Sequence, residues 1–123
     1  MQKAYANRLI GDTYRDDVQC ELRLQHDPRD EGRDPIVGWI AERLLARLRH
    51  LALAYELPLL GRLPGHGSIA YSESQLGSVE DELAFLFEVV SDQALLEAIA
   101  PMREMLRRAT HDPRGWSLMV ETP

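Results

Sequence analysis

A chain of 123 residues is about one domain's worth, long enough to bury roughly two thirds of its unfolded surface without disulfides or metals. Hydrophobic residues at 45% and charged residues at 28% exclude a disordered tail. Fourteen basic against 20 acidic residues leave a net charge of −6, which argues against a nucleic-acid binder and suits a basic protein partner.

The opening MQKAYANRLIGDTYRDD lacks the basic-then-apolar order of a signal peptide, and no run approaches about 18 apolar residues. No membrane span is expected, and a cytoplasmic protein is. Residues 4–10 read as a first strand and Gly11-Asp12 as a turn. Next, Val18, Cys20, Leu22 and Leu24 alternate with Gln19, Glu21 and Arg23, the period of a half-buried strand. Cys20 therefore reads as a buried strand residue, not a catalytic thiol, and as the only cysteine it forms neither an internal disulfide nor a cysteine metal site.

After a charged loop over 26–34, Asp34 and Pro35 form an N-cap and a first-turn proline. Val37, Ile40, Ala41, Leu44, Leu48, Leu51, Ala52 and Tyr55 then share one helical face, which predicts a single helix from 35 to about 57, ended by Pro58. The Gly/Pro-rich PLLGRLPGHGS is a connection whose leucines fold back onto the core, and 68–71 is a short strand. Ser78 and Asp81 have capping-box spacing, so the next helix is expected to start near 78. Its inner face carries Val79, Leu83, Leu86 and Val90, while Phe85, Phe87 and Val89 widen the apolar surface and imply burial on more than one side. A break falls at Ser91 or Asp92. Leu95, Ala98, Ile99, Met102, Met105, Leu106 and Ala109 then keep helical spacing through Pro101, read as a kink within one helix. Residues 116–120 form a last strand. The expected architecture is one α+β domain over 1–123, a small antiparallel sheet with two or three helices packed on one face; an all-helical protein is the alternative, since only 18–24 is a firm strand.

The tetrapeptide HDPR occurs at 26–29 and at 111–114. The flanking patterns do not repeat, and Asp-Pro initiates turns, so the echo reads as two turns and not as paired His/Asp catalysis by His26, Asp27, His111 and Asp112. The four histidines, at 26, 50, 66 and 111, have no metal-ligand spacing. GHGS at 65–68 lacks the spacing of a phosphate loop, no serine sits in a nucleophile elbow, and the acids at 80–82 belong at a helix start for dipole reasons. No catalytic residue, cofactor or metal is assigned.

Charge distribution is more informative. From 63 to 102 there is no Lys or Arg, whereas Glu73, Glu80, Asp81, Glu82, Glu88, Asp92 and Glu97 lie there, which implies a negative patch. On the long helix, Trp39, Arg43, Arg47 and His50 fall together away from the apolar stripe, with the chemistry of an interface hot spot. Such a ridge either packs on the protein's own acidic stretch or faces a partner. The expectation is a protein-binding domain of immunity or inhibitor type, in which Glu80, Asp81, Glu82, Glu88, Trp39, Arg43 and Arg47 meet a basic toxin or nuclease. Small bacterial immunity proteins and antitoxins have such size and charge. The alternatives are a small enzyme using His26, His66 or His111 as base, and a homo-oligomer joined around Phe85, Phe87 and Val89.

Overall fold

The computed structural model describes residues 18–26, 35–111 and 115–123; the strand and turn expected within the first 17 residues lie outside them. The alternation around Cys20 becomes β1 (Gln19–His26), whose Cys20, Leu22 and Leu24 are buried while Glu21 and Arg23 are not. The C-terminal apolar residues form β4 (Trp116–Thr122), longer than expected by two, with Trp116, Leu118, Val120 and Thr122 turned inward. β4 lies between β1 and β3 (Gly67–Tyr71), and β2 (Ile36–Ala41) flanks β1, so the order is β2-β1-β4-β3 with every pair antiparallel. Each fully buried Leu or Val in this arrangement contributes about 1.5–3 kcal/mol.

The structure corrects the long helix expected from 35. Only α1 (Glu42–Ala54) is helical; the residues before it are β2, and the ladder runs on through a hydrogen bond from the Glu42 amide to the Val18 carbonyl at 2.8 Å. Ile36, Val37, Ile40 and Trp39 suit a pleated strand, and Gly38 is a poor helix residue. Cross-strand pairing with β1 therefore outweighs a helical spacing that these same residues also satisfy. Gly38 has a second use: a Cβ built there would lie 3.2 Å from Met105 Sδ, so the missing side chain lets the last helix approach the sheet edge. Leu44, Leu45, Leu48 and Ala52 form the buried face of α1, whereas Val37 and Tyr55, expected on that face, are exposed. Glu56, at φ 57°, ends the helix: its amide bonds to the Leu53 carbonyl and the Leu57 amide to the Ala52 carbonyl, a Schellman arrangement ahead of Pro58. Leu60 and Leu63 of the next connection, which includes a 3₁₀ turn (Leu60–Arg62), fold into the core as expected.

α2 (Glu73–Val89) starts five residues earlier than Ser78. Ser72 is its N-cap, and the Gln75 side chain reaches back to accept the Ser72 amide at 3.0 Å, so the capping box has the same spacing as Ser78 and Asp81 but uses the better-attested glutamine. Leu76, Val79, Leu83 and Leu86 are buried, but Phe85 and Val89 are exposed, so this helix is covered on one side. The expected break comes next, and Asp92 caps α3 (Gln93–His111) by accepting the Leu95 amide at 3.2 Å. α3 continues through Pro101, with Leu95, Ile99, Met102, Met105, Leu106 and Ala109 inward. No helix among the described residues is long and apolar enough to cross a membrane.

The early start of α2 has a measurable consequence. Gly77 sits inside the helix, exposed, and a Cβ there meets nothing within 4 Å. Gly77→Ala should therefore stabilise the fold by about 0.5–1 kcal/mol in urea denaturation. A helix beginning at Ser78 would show no gain.

Candidate functional site

Strand side chains alternate between faces, so burial of Cys20, Leu22, Ile40, Leu118 and Val120 beneath the helices turns their neighbours to the opposite side. There Trp39 is registered against Glu21, and Glu21 against Glu121, giving one row across three strands. Trp39 is 58% exposed and Val37, on the same strand and face, 41%. The row borders a shallow cavity of about 280 Å³ lined by Gln19, Glu21, Trp39, Glu121 and Pro123. Arg23 Nε donates to Glu21 Oε1 at 2.7 Å; that bond, the charge of Glu21 and more weakly that of Glu121 hold the Arg23 proton more tightly than usual. Among the described residues no helix lies over this face of the sheet.

The structure separates the residues that sequence reasoning groups. Trp39 is on a strand, not on a helix with Arg43, Arg47 and His50, so the ridge does not exist as such. Arg43 and Arg47 are exposed on α1, and Arg47 Nη1 meets Asp92 Oδ2 at 2.5 Å, the packing of arginine on the chain's own acidic stretch that was one of the two expectations. As an exposed pair it contributes about 0–1 kcal/mol. Glu80 is paired as well, accepting from Arg103 Nε at 3.2 Å, while the Arg103 guanidinium lies 5.1 Å from the Phe87 ring centroid. Of the four acids proposed for a partner, only Asp81 and Glu88 are exposed. They lie seven apart on α2 and bracket Phe85, which meets Tyr55 edge to face at 5.4 Å and 79°.

Glu82 is the clearest departure from the expected patch. It is 9% exposed, and its Oε2 and Oε1 accept the amides of Leu59 at 3.1 Å and Leu60 at 2.9 Å. These amides stand at the opening of the 3₁₀ turn, where no backbone carbonyl is available to them, and a carboxylate satisfies both. Tyr71 closes the clamp from β3 by donating its hydroxyl to the Leu59 carbonyl at 2.7 Å. Burial, then the charge of Glu82, push the Tyr71 phenol well above its ordinary range, with Arg62 opposing. Glu82 is thus an internal tie and not a contact for a partner.

No catalytic cluster appears among the described residues. His50, His66 and His111 are exposed on α1, the β3 approach and the end of α3, with His66 Nδ1 3.2 Å from the Pro123 carbonyl. No three His, Cys, Asp or Glu among those residues converge as metal ligands would. Residues 27–29 and 112–114 of the HDPR echo lie outside the described chain; His26 ends β1 and His111 ends α3, and the next element after the first copy is the strand β2, where a helix was expected. GHGS leads into β3, with Gly67 at φ 95°, and no helix begins directly behind it. Burial pushes the Cys20 thiol up, with Thr122 opposing and Glu42 adding to the rise, which disfavours a nucleophilic thiolate. Glu21 and Glu121 do not stand out in the sequence. Their only signal is a place on the polar side of strands, since their meeting with Trp39 depends on register.

Compared with protein-family models, curated proteins and solved structures, the chain matches none of them.

Removing one acceptor of the clamp leaves a buried amide unpaired, so Glu82→Gln should cost about 1–3 kcal/mol in urea denaturation, whereas the adjacent Asp81→Asn should stay within about 0.5 kcal/mol of wild type. Equal effects would mean that Glu82 is not the tie described. Tyr71 gives a pH signature. An unfolded tyrosine ionises near about pH 10 and the folded one higher, so its contribution is present below about pH 10 and is lost as pH rises toward the folded value. Tyr71→Phe should therefore be about 1–2 kcal/mol less stable than wild type near pH 8, and the gap should narrow near pH 11.

Proposed function

We propose that this chain is a protein-binding domain of inhibitor or immunity type, which masks a basic surface of a partner protein with the sheet face that carries Trp39. One observation carries the reading: Trp39, 58% exposed, stands in register with Glu21 and Glu121 on a sheet face that no described helix covers. An exposed indole beside Val37 leaves apolar area in water that a partner would desolvate, and tryptophan is the residue type most enriched among interface hot spots. The two carboxylates select the sign of that partner. Together with Asp81, Glu88 and a net charge of −6, they would accelerate encounter with a cationic protein and repel an acidic one. Arg43 and Arg47, on α1, have no place in this contact.

A second reading has its own observation. Tyr55 and Phe85 are 43% and 39% exposed and touch each other, with Val89 exposed one helical turn on, an apolar patch that two copies of the chain could share.

An affinity capture from native lysate separates the two readings, run with wild type, Trp39→Ala and Glu121→Lys at low salt and at about 0.5 M, where charges are screened within several ångströms. We expect one basic protein retained in stoichiometric amount, lost at the higher salt and by either substitution, with the variants' melting temperatures unchanged. Retention of no protein by wild type with a monomeric light-scattering mass rejects the proposal. A dimeric mass abolished by Phe85→Ala supports the second reading.

A further inference from the structure

The cavity beside Trp39 is more specific than a generally acidic face, and we infer that it receives a single arginine side chain of the partner, with the guanidinium between the Trp39 indole and the Glu21 and Glu121 carboxylates. This assignment rests on the protein-binding reading above and narrows it to one chemical group.

Three features lead to it. The first is the register: Glu21 and Glu121 are Cα partners on adjacent strands and share a face, and like charges directly opposite one another are destabilising. Arg23, two residues along β1, relieves part of that repulsion by donating to Glu21 Oε1, which leaves Glu21 Oε2 and the Glu121 carboxylate as acceptors without an ion-pair partner among the described residues. A second cation from outside would complete the charge balance. The second feature is the indole. Its negative π face attracts cations, and a planar guanidinium stacks on it while its N–H groups reach carboxylates in the same plane, a combination unavailable to the compact ammonium of lysine. The third is size. A cavity of about 280 Å³ lies at the lower edge of the range for ligand pockets, which suits a side chain and not a nucleotide or a larger metabolite. Metal occupancy is a poorer match, because no three ligand-type residues converge there among those described.

The test uses the full chain and short capped peptides as probes. The sequence holds two tryptophans, so a proton–nitrogen NMR spectrum shows two indole signals, that of Trp39 identified by its loss in Trp39→Phe. Titration with capped Gly-Arg-Gly should move the Trp39 signal saturably at millimolar concentrations and leave that of the buried Trp116 in place. Gly-Lys-Gly should bind several-fold more weakly, and Gly-Gln-Gly should produce no shift. Glu121→Gln should weaken the arginine peptide by about fivefold to tenfold. An unmoved Trp39 signal at about 20 mM arginine peptide, or equal shifts with the glutamine peptide, overturns the assignment, since the weakest useful contact would already register there. The two levels are separable. A basic protein captured in a Trp39-dependent way without arginine-peptide binding keeps the protein-binding reading and removes the arginine; arginine-peptide binding with no captured protein keeps the niche and removes the partner proposed above.

Discussion

At the centre of the sheet, Leu22 and Leu24 of β1 stand in register with Val120 and Leu118 of β4, and all four are buried. Because side chains on a strand alternate, anchoring these residues under the helices leaves no choice for their neighbours: Glu21, Arg23, Met119 and Glu121 must face the other way. A slip of β1 by one residue would bury Glu21 and Arg23 and expose Leu22 and Leu24. The same constraint passes to β2 through Cys20 and Ile40, and it is what turns Trp39 outward. The candidate site is thus the reverse side of the core, built by the requirement that the core be apolar.

The helical layer depends on a different tie. The connection from α1 to β3 runs over the core with its leucines turned in, which strands the amides at the start of its 3₁₀ turn away from water. Glu82 supplies both acceptors from α2, and Tyr71 binds the Leu59 carbonyl from β3. Three segments meet at this point: the connection, β3 and α2. A buried carboxylate is a costly residue to place, and it is retained where its hydrogen bonds replace those that water would have made.

The acidic stretch from 63 to 102 therefore divides by use. Glu80 and Asp92 tie α2 and the start of α3 to arginines of other helices, Glu82 serves the backbone, and Glu73, Asp81, Glu88 and Glu97 remain at the surface. A surplus of one charge sign in a sequence sets the long-range field, but which members of it a partner can touch is a matter of packing. On the sheet face, the exposed Trp39 borders the same cavity as Glu21 and Glu121.

Much of the fold is legible in local pattern. The period-two run around Cys20, the apolar spacing of α3 and the break at Asp92 each rest on patterns within a few residues, so sequence alone determined them, along with the negative charge; the α+β class, to which the sequence left an all-helical alternative, was decided by the pairing of four strands. Elsewhere two local signals compete, and the sequence points to the wrong one. Ser78 has capping-box spacing but Ser72 with Gln75 forms the box, and residues 36–41 keep a helical spacing that pairing with β1 overrides. The candidate site is legible only in part. Trp39 is recognisable as an interface residue, but its companions are Glu21 and Glu121, which lie 18 and 82 positions away and reach it only through strand register. Register is set by the burial of the opposite face, a property of the whole sheet, and that is why tertiary structure alone chose the residues beside Trp39 and withdrew Glu82 from the surface.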